Sequence, residues 1–431
     1  MRDSGLRSVG LALFLVGCTA SGSDAERHGP DFDPTGAVDG GGAGVPDAAP
    51  DARVTTDAPP DAGAPPLDAA LDADAAADAS ETSAAIDSGV RCTATTVLLA
   101  GSGSGASGAH ATGAGAFVAD AVATTITSAP ALVAYGAGFQ AMLRTSGNGL
   151  ASLAYGASWG APSPFPLAGA LASPALATVG STLHVAYLGT NNRYYHGTFS
   201  GAGWDAASDP VGHVADGGVQ AFGPTAASAA GVPGALVVAY AGDDHHVYTH
   251  GWTAAAGWTD GVAVSTDLAY ADAAPALVAL DAGANDLAVV FAAADTSVRA
   301  AQRSATSKAW SAPAPIDATA LTKDAIRVAS IPGGRAVAVY RGTDGKPYGT
   351  TYDPSRATPW SPPAPLAGVG NPAVLSVPAV AAGVCGDDAV AAFVDTSGIV
   401  SVVALRGTAW ASRGPVSGIA GATYVSLATR P

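Results

Sequence analysis

The chain has 431 residues, and its 19 Lys and Arg against 35 Asp and Glu give a net charge of −16. We expect no nucleic-acid partner. The composition changes sharply along the chain, so we take it in three segments, 1–17, 18–90 and 91–431.

The first segment has the organisation of a secretory signal peptide. Arg2 and Arg7 precede the apolar run 11–16, which is far shorter than the ~20 residues of a membrane-spanning helix. Residues 15–18, Leu-Val-Gly-Cys, resemble the lipobox of bacterial lipoproteins. That resemblance implies a lipid on Cys18 and an exported protein anchored to the cell envelope, on the periplasmic or surface side of the outer membrane. The alternative is an ordinary secretory signal with an incidental Cys.

The second segment is rich in Asp, Ala, Pro and Gly, and no aromatic residue follows Phe32 within it. Up to residue 90 the chain carries fourteen Asp and two Glu against four Arg, so a net charge of −12 precedes the third segment. Such a composition buries too little apolar surface to offset the entropy cost of ordering, and its like charges repel one another. We expect a disordered acidic tether.

The third segment consists of short Val-, Ala-, Leu- and Tyr-rich runs separated by Gly, Asp, Asn, Ser and Pro, which indicates strands and turns. An apolar run ending in an aromatic residue and a turn recurs in it, as in 184–190, 237–243 and 337–345. Tryptophan follows these runs at spacings of 45 to 54 residues, at Trp159, Trp204, Trp258, Trp310, Trp360 and Trp410. A repeat of about 50 residues with four short strands predicts a β-propeller blade.

The chain ends predict how the propeller closes. After the last tryptophan one inner strand, 423–428, has no partner left. Residues 95–100, a Gly/Ser/Ala stretch and 115–120 resemble the later strands of a blade, with Phe117 in the tryptophan position. One C-terminal and three N-terminal strands complete a seventh blade and leave no open sheet edge. We expect an all-β, seven-bladed propeller of four-stranded blades; the alternative is six blades, with 93–127 as an irregular extension.

Two cysteines remain in this segment. Cys92 precedes the second strand of the closing blade, and Cys385 lies in the turn before the second strand of the neighbouring blade. Both turns fall on one face of the ring, and an exported protein meets an oxidising environment. We expect a disulfide between Cys92 and Cys385 that reinforces the ring closure. The alternative is two unrelated buried thiols.

Polar and aromatic residues cluster in the turns and third strands of several blades. Residues 242–252 read Gly-Asp-Asp-His-His-Val-Tyr-Thr-His-Gly-Trp, and 189–196 and 342–348 are equivalent. Aromatic faces beside Asp, Asn, Arg or Lys suit sugar binding, because the ring packs on C–H groups while the polar groups bond hydroxyls. The alternative is that these side chains fill gaps between blades. The candidate ligand-binding residues are Arg193, Tyr194, His196, His246, Tyr248, Trp252, Asp344 and Tyr348.

The third segment offers little for catalysis. Both Glu residues, Glu26 and Glu81, lie in the tether, and most Asp residues occupy turns where they bond the local backbone. The sequence has neither the Ser-x-Asp-x-Gly-x-x-x-Trp box of sialidases nor a Gly-x-Ser-x-Gly elbow. The imidazoles and carboxylates of 243–250 could bind a metal, but tandem His beside Asp in a turn is more often simply solvated. We expect a monomeric binding protein without cofactor or metal, rather than an enzyme.

The repeat, a turn with Asp-Gly, then Tyr, then Trp-x-x-Pro, resembles the bacterial and fungal β-propeller lectins, including the fucose-binding type. The resemblance spans about 93–431 and implies a carbohydrate-binding module. Fucose-binding propellers commonly use an Arg and a Glu beside an aromatic residue, whereas this segment has no Glu. The sequence predicts a membrane-anchored binding or adhesion protein, lectin-like in its propeller. The alternatives are a scaffold for envelope proteins and a divergent glycan hydrolase.

Overall fold

The computed structural model describes residues 92–166, 169–205, 209–212, 221–366 and 371–431. The predicted signal peptide, Cys18 and the predicted tether lie outside these ranges. The described residues form twenty-nine β-strands in seven sheets, with one 3₁₀ turn at Ser146–Asn148. No helix in this part of the chain is long and apolar enough to cross a membrane.

Each sheet is one blade, with antiparallel strands in order from the ring axis outwards. Blade 1 is β29 (Tyr424–Arg430), β1 (Thr95–Ser102), β2 (Gly105–Thr112), β3 (Val118–Val122); blade 2 is β4 (Ala131–Tyr135), β5 (Gly138–Arg144), β6 (Leu150–Tyr155), β7 (Ser163–Pro164). Blade 3 is β8 (Ala175–Val179), β9 (Thr182–Leu188), β10 (Tyr194–Phe199), β11 (Asp209–Pro210); blade 4 is β12 (Ser228–Val232), β13 (Ala235–Ala241), β14 (His246–Thr253), β15 (Gly257–Trp258), β16 (Val262–Leu268).

The remaining three blades follow the same plan. Blade 5 is β17 (Ala276–Ala279), β18 (Asn285–Ala292), β19 (Val298–Ser304), β20 (Ala314–Pro315); blade 6 is β21 (Arg327–Ile331), β22 (Arg335–Arg341), β23 (Pro347–Tyr352), β24 (Ala364–Pro365). Blade 7 is β25 (Ala379–Ala382), β26 (Ala389–Val394), β27 (Val400–Arg406), β28 (Ala409–Pro415).

The predicted closure by seven blades is confirmed. The C-terminal strand β29 pairs with β1, with Leu427 opposite Leu98, so one C-terminal and three N-terminal strands share blade 1. Each inner strand contacts the inner strands of both neighbouring blades, which makes an unbroken circle. The predicted disulfide between Cys92 and Cys385 is also present; it joins blades 1 and 7 with Cα atoms 5.7 Å apart. The strand pairing and the disulfide both hold the first and last described strands in the ring.

The outermost strand of most blades is interrupted after its tryptophan. Trp360, for example, forms an isolated bridge with Tyr352, and the two-residue strand β24 follows. Pro lacks the backbone N–H that a ladder needs, so the intervening prolines divide the strand. In blade 4 the two pieces are longer, and β15 and β16 both pair with β14. Blade 4 therefore has five strands.

The core is a series of apolar layers between adjacent blades, and each repeat tryptophan lies in the layer between its own blade and the preceding one. Phe117 packs in the layer between blades 7 and 1, as its tryptophan-like position predicted. The indole of Trp159 packs on Gly108 so closely that a Cβ on this glycine would lie 2.0 Å from Nε1. This contact explains why β2 has a glycine at position 108 despite the low strand preference of that residue.

Candidate functional site

A pocket of about 460 Å³ opens between blades 3 and 4. Three aromatic rings, one imidazole and three carboxylates line it, so apolar faces and hydrogen-bond acceptors meet in one volume. They come from the segment that joins the two blades, from β13 and β14, and from the connection between β15 and β16. The lining residues are Phe222, Tyr240, Gly242, Asp243, Asp244, Tyr248, His250, Asp260 and Gly261.

The turn between β13 and β14 positions Asp244 and Tyr248. The Oδ1 of Asp244 accepts a hydrogen bond from the backbone N–H of His246 at 3.1 Å, and the Tyr248 hydroxyl donates to its Oδ2 at 2.6 Å. Partial desolvation raises the pKa of Asp244, but these two hydrogen bonds outweigh it and hold the pKa below its usual value. The same bond to the carboxylate raises the pKa of Tyr248. The pair is therefore an ionised carboxylate and a neutral phenol, ordered before any ligand arrives.

The stacked rings of Tyr240, Tyr248 and His250 form one wall of the pocket. Tyr240 stacks on Tyr248 with centroids 5.9 Å apart and on His250 at 5.6 Å. The Nδ1 of His250 lies 3.0 Å from the Thr259 carbonyl, which can only accept, so Nδ1 carries the proton and Nε2 accepts from the Tyr240 hydroxyl at 2.9 Å. Burial lowers the pKa of His250 despite its bond to Thr259. This wall is uncharged, and the hydrogen bonds of Tyr240 and His250 fix its rings.

Two glycines, Gly242 and Gly261, leave the aromatic wall of the pocket accessible. A Cβ on Gly242 would lie 2.9 Å from the Tyr248 ring, and one on Gly261 would lie 2.8 Å from His250 Nε2. A side chain at either position would therefore press against the rings that line the pocket. Both residues keep the pocket open.

Charged groups lie at the mouth of the pocket. The exposed carboxylates of Asp243 and Asp260 form no hydrogen bond or ion pair with another described residue, so their oxygens are available as acceptors. Across the pocket, the guanidinium of Arg193 lies 5.0 Å from the centroid of Phe222, in cation–π geometry. Among the described residues, no group of three or more His, Cys, Asp or Glu is arranged to hold a metal ion.

The same construction recurs between blades 5 and 6 in a smaller pocket of about 180 Å³. The Tyr348 hydroxyl donates to Asp344 Oδ2 at 2.9 Å, and Tyr340 stacks on Tyr348 at 5.9 Å. Leu321 lies where the first pocket has Phe222, and Thr350 lies where it has His250. This pocket therefore has the repeated turn but lacks the second aromatic wall.

Blades 3 and 5 carry variants of the turn. In blade 3 the pair is Asn191 and Tyr195, whose side chains are 2.8 Å apart. In blade 5 an arginine, Arg299, replaces the tyrosine and binds both Asp295 and Asp267. The turn is thus a structural repeat of the blades. Of the two pockets described here that contain it, the one at blade 4 is larger and has more aromatic residues.

The structure distributes the eight predicted ligand-binding residues over several places. Tyr248 lines the first pocket, Arg193 borders it through Phe222, and Asp344 and Tyr348 line the second. His246 contributes its backbone N–H to the turn.

The other three lie in the layer between blades 3 and 4. Tyr194 is fully buried and donates to the Thr225 carbonyl at 2.8 Å; His196 is also buried and packs on Trp252 with centroids 5.0 Å apart. Neither Tyr194 nor His196 lines either of the two pockets, so we leave both out of the candidate site.

Three ring residues of the first pocket were not predicted as ligand-binding. The recurring strand ending in an aromatic residue singles out Tyr240, and alternation along β14 places His250 on the same side as Tyr248. Phe222 belongs to the segment between two blades, and no repeat in the sequence marks it. Its role emerges only from the packing of blade 3 against blade 4.

No protein-family model and no curated protein matches this sequence. Among solved structures, the fold is similar to the fucose-specific lectin from Aleuria aurantia, at 14% identity and a TM-score of 0.48 over 67% of this chain and 95% of the lectin. It is also similar to AofleA from Arthrobotrys oligospora, at 13% identity and 0.48 over 70% of this chain and 89% of AofleA. A third similar structure is SapL1 lectin in complex with α-methyl fucoside, at 16% identity and a TM-score of 0.49 over 68% of this chain and 97% of SapL1.

The Aleuria lectin is a six-bladed propeller, one blade fewer than this chain. At these identities and TM-scores the similarities carry no argument about the ligand of this chain, because unrelated ligands are bound on one fold.

Proposed function

We propose that this protein is a non-catalytic carbohydrate-binding propeller and that the pocket between blades 3 and 4 holds one sugar ring. The observation that carries the proposal is the ring of Tyr248, fixed by Asp244 and backed by Tyr240, beside two free carboxylates. A sugar offers a C–H face to pack on an aromatic ring and hydroxyls to donate to carboxylates. Because the receiving groups are already ordered, little conformational entropy is lost on binding.

The charge of the pocket restricts the sugar. Asp243, Asp244 and Asp260 line it, whereas Arg193 is the one basic side chain that we find at its border. A uronic or sialic acid would bring a further negative charge to three carboxylates. We therefore propose a neutral sugar, either free or at the end of a glycan.

We also propose that the propeller is displayed from the bacterial cell envelope, by a lipid on Cys18 and the acidic tether 18–90. The lipobox-like residues 15–18 support this proposal, and so does the disulfide, which is typical of proteins outside the cytoplasm. In a bacterial host the protein should fractionate with membranes and the Cys18→Ser variant should not. Equal release of both proteins into the soluble fraction would contradict the lipid anchor.

The sugar proposal is tested with the Cys18→Ser chain on an array of neutral, fucosylated and sialylated glycans. We expect retention of neutral glycans and no retention of ligands recognised through an acidic group. For the best ligand, Tyr248→Ala should weaken affinity at least about tenfold, as truncation of a central aromatic contact does. Binding of no glycan at millimolar concentration would contradict the proposal.

The matched control is Tyr348→Ala, which removes the equivalent ring in the smaller pocket of blade 6. We expect this variant to keep the wild-type affinity and a stoichiometry of one sugar per chain. If both variants lose affinity equally, binding does not depend on the pocket between blades 3 and 4. Melting temperatures of both variants within about 2 °C of wild type exclude unfolding as the cause.

A glycan hydrolase is the alternative that the pocket favours, because three carboxylates line it and glycoside hydrolysis uses paired carboxylic acids. Incubation with a panel of nitrophenyl glycosides separates the two functions. Release of nitrophenol that Asp243→Asn or Asp260→Asn abolishes would establish hydrolysis. Binding without turnover would support the non-catalytic proposal.

A further inference from the structure

A second cavity, of about 170 Å³, lies on the axis of the ring and is independent of the proposed sugar pocket. All seven inner strands line it, one from each blade. Each inner strand pairs on one side only, so the backbone groups of its other edge point towards the axis. Backbone N–H and C=O groups of the inner strands therefore line the cavity together with the side chains.

Residues that occupy the same position in the seven inner strands lie at one height along the ring axis, which we call a level. We identify these positions by their pairing with equivalent residues of the second strands. At the middle level, six of the seven blades contribute an alanine or a serine, and blade 6 contributes Arg327. The six small residues are Ala131, Ala175, Ser228, Ala276, Ala379 and Ser426. The small side chains leave the volume into which one long cationic side chain reaches.

Arg327 has no counter-charge. The cavity is lined by no Asp or Glu, and Arg327 forms no hydrogen bond or ion pair with another described residue. Burial lowers the pKa of its guanidinium, which nevertheless stays protonated because the ordinary pKa of arginine is so high. In contrast, Arg303 and Arg341 each bind a carboxylate, at 2.9 and 2.7 Å. Arg327 is partly buried at the ring axis, so an anion in the cavity is the complement that the described residues do not supply.

Further donors surround the same cavity. The Oγ of Ser228 accepts the backbone N–H of Leu277 at 2.9 Å, so its own hydrogen remains free to donate. Ser426 lines the cavity at the same level. A guanidinium fork with nearby hydroxyls is the geometry that binds the paired oxygens of an oxyanion.

We propose that the axial cavity binds a small oxyanion, an inorganic phosphate-like ion or a carboxylate, on Arg327. The bound ion balances the charge of Arg327 in blade 6, and the serines of blades 1 and 4 are further donors at the same level of the cavity. The site thus contributes to ring stability rather than to recognition of the sugar, and it can exist whether or not the sugar proposal holds.

The test is the melting temperature of the unaltered full chain as sodium phosphate or sodium acetate is titrated, with ionic strength held constant by sodium chloride. Ligand binding to the folded state predicts a saturable rise of about 2–5 °C. Arg327→Met should melt independently of either anion. The control Arg356→Met, at an arginine paired with Asp353 on the surface, should keep the saturable rise.

The two anions distinguish the source of the ligand. Saturation by phosphate alone indicates an inorganic oxyanion, and saturation by acetate indicates a carboxylate. A rise that does not saturate and is shared by Arg327→Met is general salt stabilisation and overturns the proposal. If Arg327→Met does not fold, crystals of the unaltered protein soaked in selenate decide: anomalous density beside Arg327 supports the site, and its absence rejects it.

Discussion

His184 Nδ1 lies 2.8 Å from His196 Nε2 in the layer between blades 3 and 4, and the two imidazoles stack with centroids 5.1 Å apart. One ring donates its N–H to the lone pair of the other, so the contact requires at least one neutral imidazole. Burial lowers the pKa of His184 to about 4 and that of His196 to about 3, where the charge of His184 adds to the effect. Both rings are therefore neutral in the folded protein at physiological pH.

This pair predicts that acid destabilises the propeller well above the pKa of its carboxylates. The folded pKa values lie below the ordinary 6.5, so the unfolded chain binds protons that the folded chain does not. The stabilisation is complete above pH 6.5 and is lost as pH falls towards 4 to 3, by on the order of 3 kcal/mol per histidine. Urea unfolding at pH 7.5, 5.5 and 4.5 measures the slope.

The double variant His184→Asn/His196→Gln should show a flatter dependence of unfolding free energy on pH, whatever its stability at neutral pH. The control is His245→Asn, on the turn between β13 and β14, where asparagine tolerates the positive φ of 63°. An unchanged slope in the double variant would assign the acid sensitivity to other groups.

Gly108→Ala should destabilise the protein by at least about 2 kcal/mol. Its Cβ would overlap the Trp159 indole, and backbone or indole must move to accommodate it. Gly103→Ala, five residues earlier, meets no atom within 4 Å and should change the unfolding free energy by no more than about 0.5 kcal/mol. Denaturant unfolding compares the two. Equal effects would show that the packing of Trp159 on blade 1 is not specific.

Asp387→Ala should be among the most destabilising substitutions of a charged residue. The Asp387 side chain is fully buried and receives hydrogen bonds from Arg406 and Arg413. Its removal leaves Arg413, which is mostly buried, without its acceptor, at a cost of about 3–5 kcal/mol. Arg406→Ala removes a mostly exposed partner and should cost much less than Asp387→Ala. The proposed order of effects fails if Arg406→Ala is the more destabilising variant in urea.

Removal of the disulfide by Cys92→Ala/Cys385→Ala should lower the unfolding free energy by about 2–5 kcal/mol. The bond spans 293 residues of sequence, and without it the closure of blade 1 depends on the pairing of β29 with β1. We expect earlier hydrogen exchange in β1 and β29 than in the other blades of the double variant. Uniform exchange across all blades would show that the bond does not protect the closure.

The candidate site was only partly predictable, for a reason specific to propellers. Alternation along a strand tells which side of the sheet a residue faces, but both sides of a blade are covered by neighbouring blades. Tyr194 and Tyr248 are therefore equally plausible from sequence, although Tyr194 is buried and Tyr248 borders a pocket. The distance of each residue from the blade edge and the shape of the adjoining blade decide between them.

The architecture of the described residues could be predicted from local features of the sequence. The tryptophan repeat, the unpaired last strand and the positions of Cys92 and Cys385 are local and periodic, and they were sufficient for seven blades and the disulfide. Which side chains share a cavity depends instead on how the blades pack. Phe222 meets Tyr248, and Arg327 enters a ring of alanines and serines, because closure of the ring brings together residues that no sequence period relates.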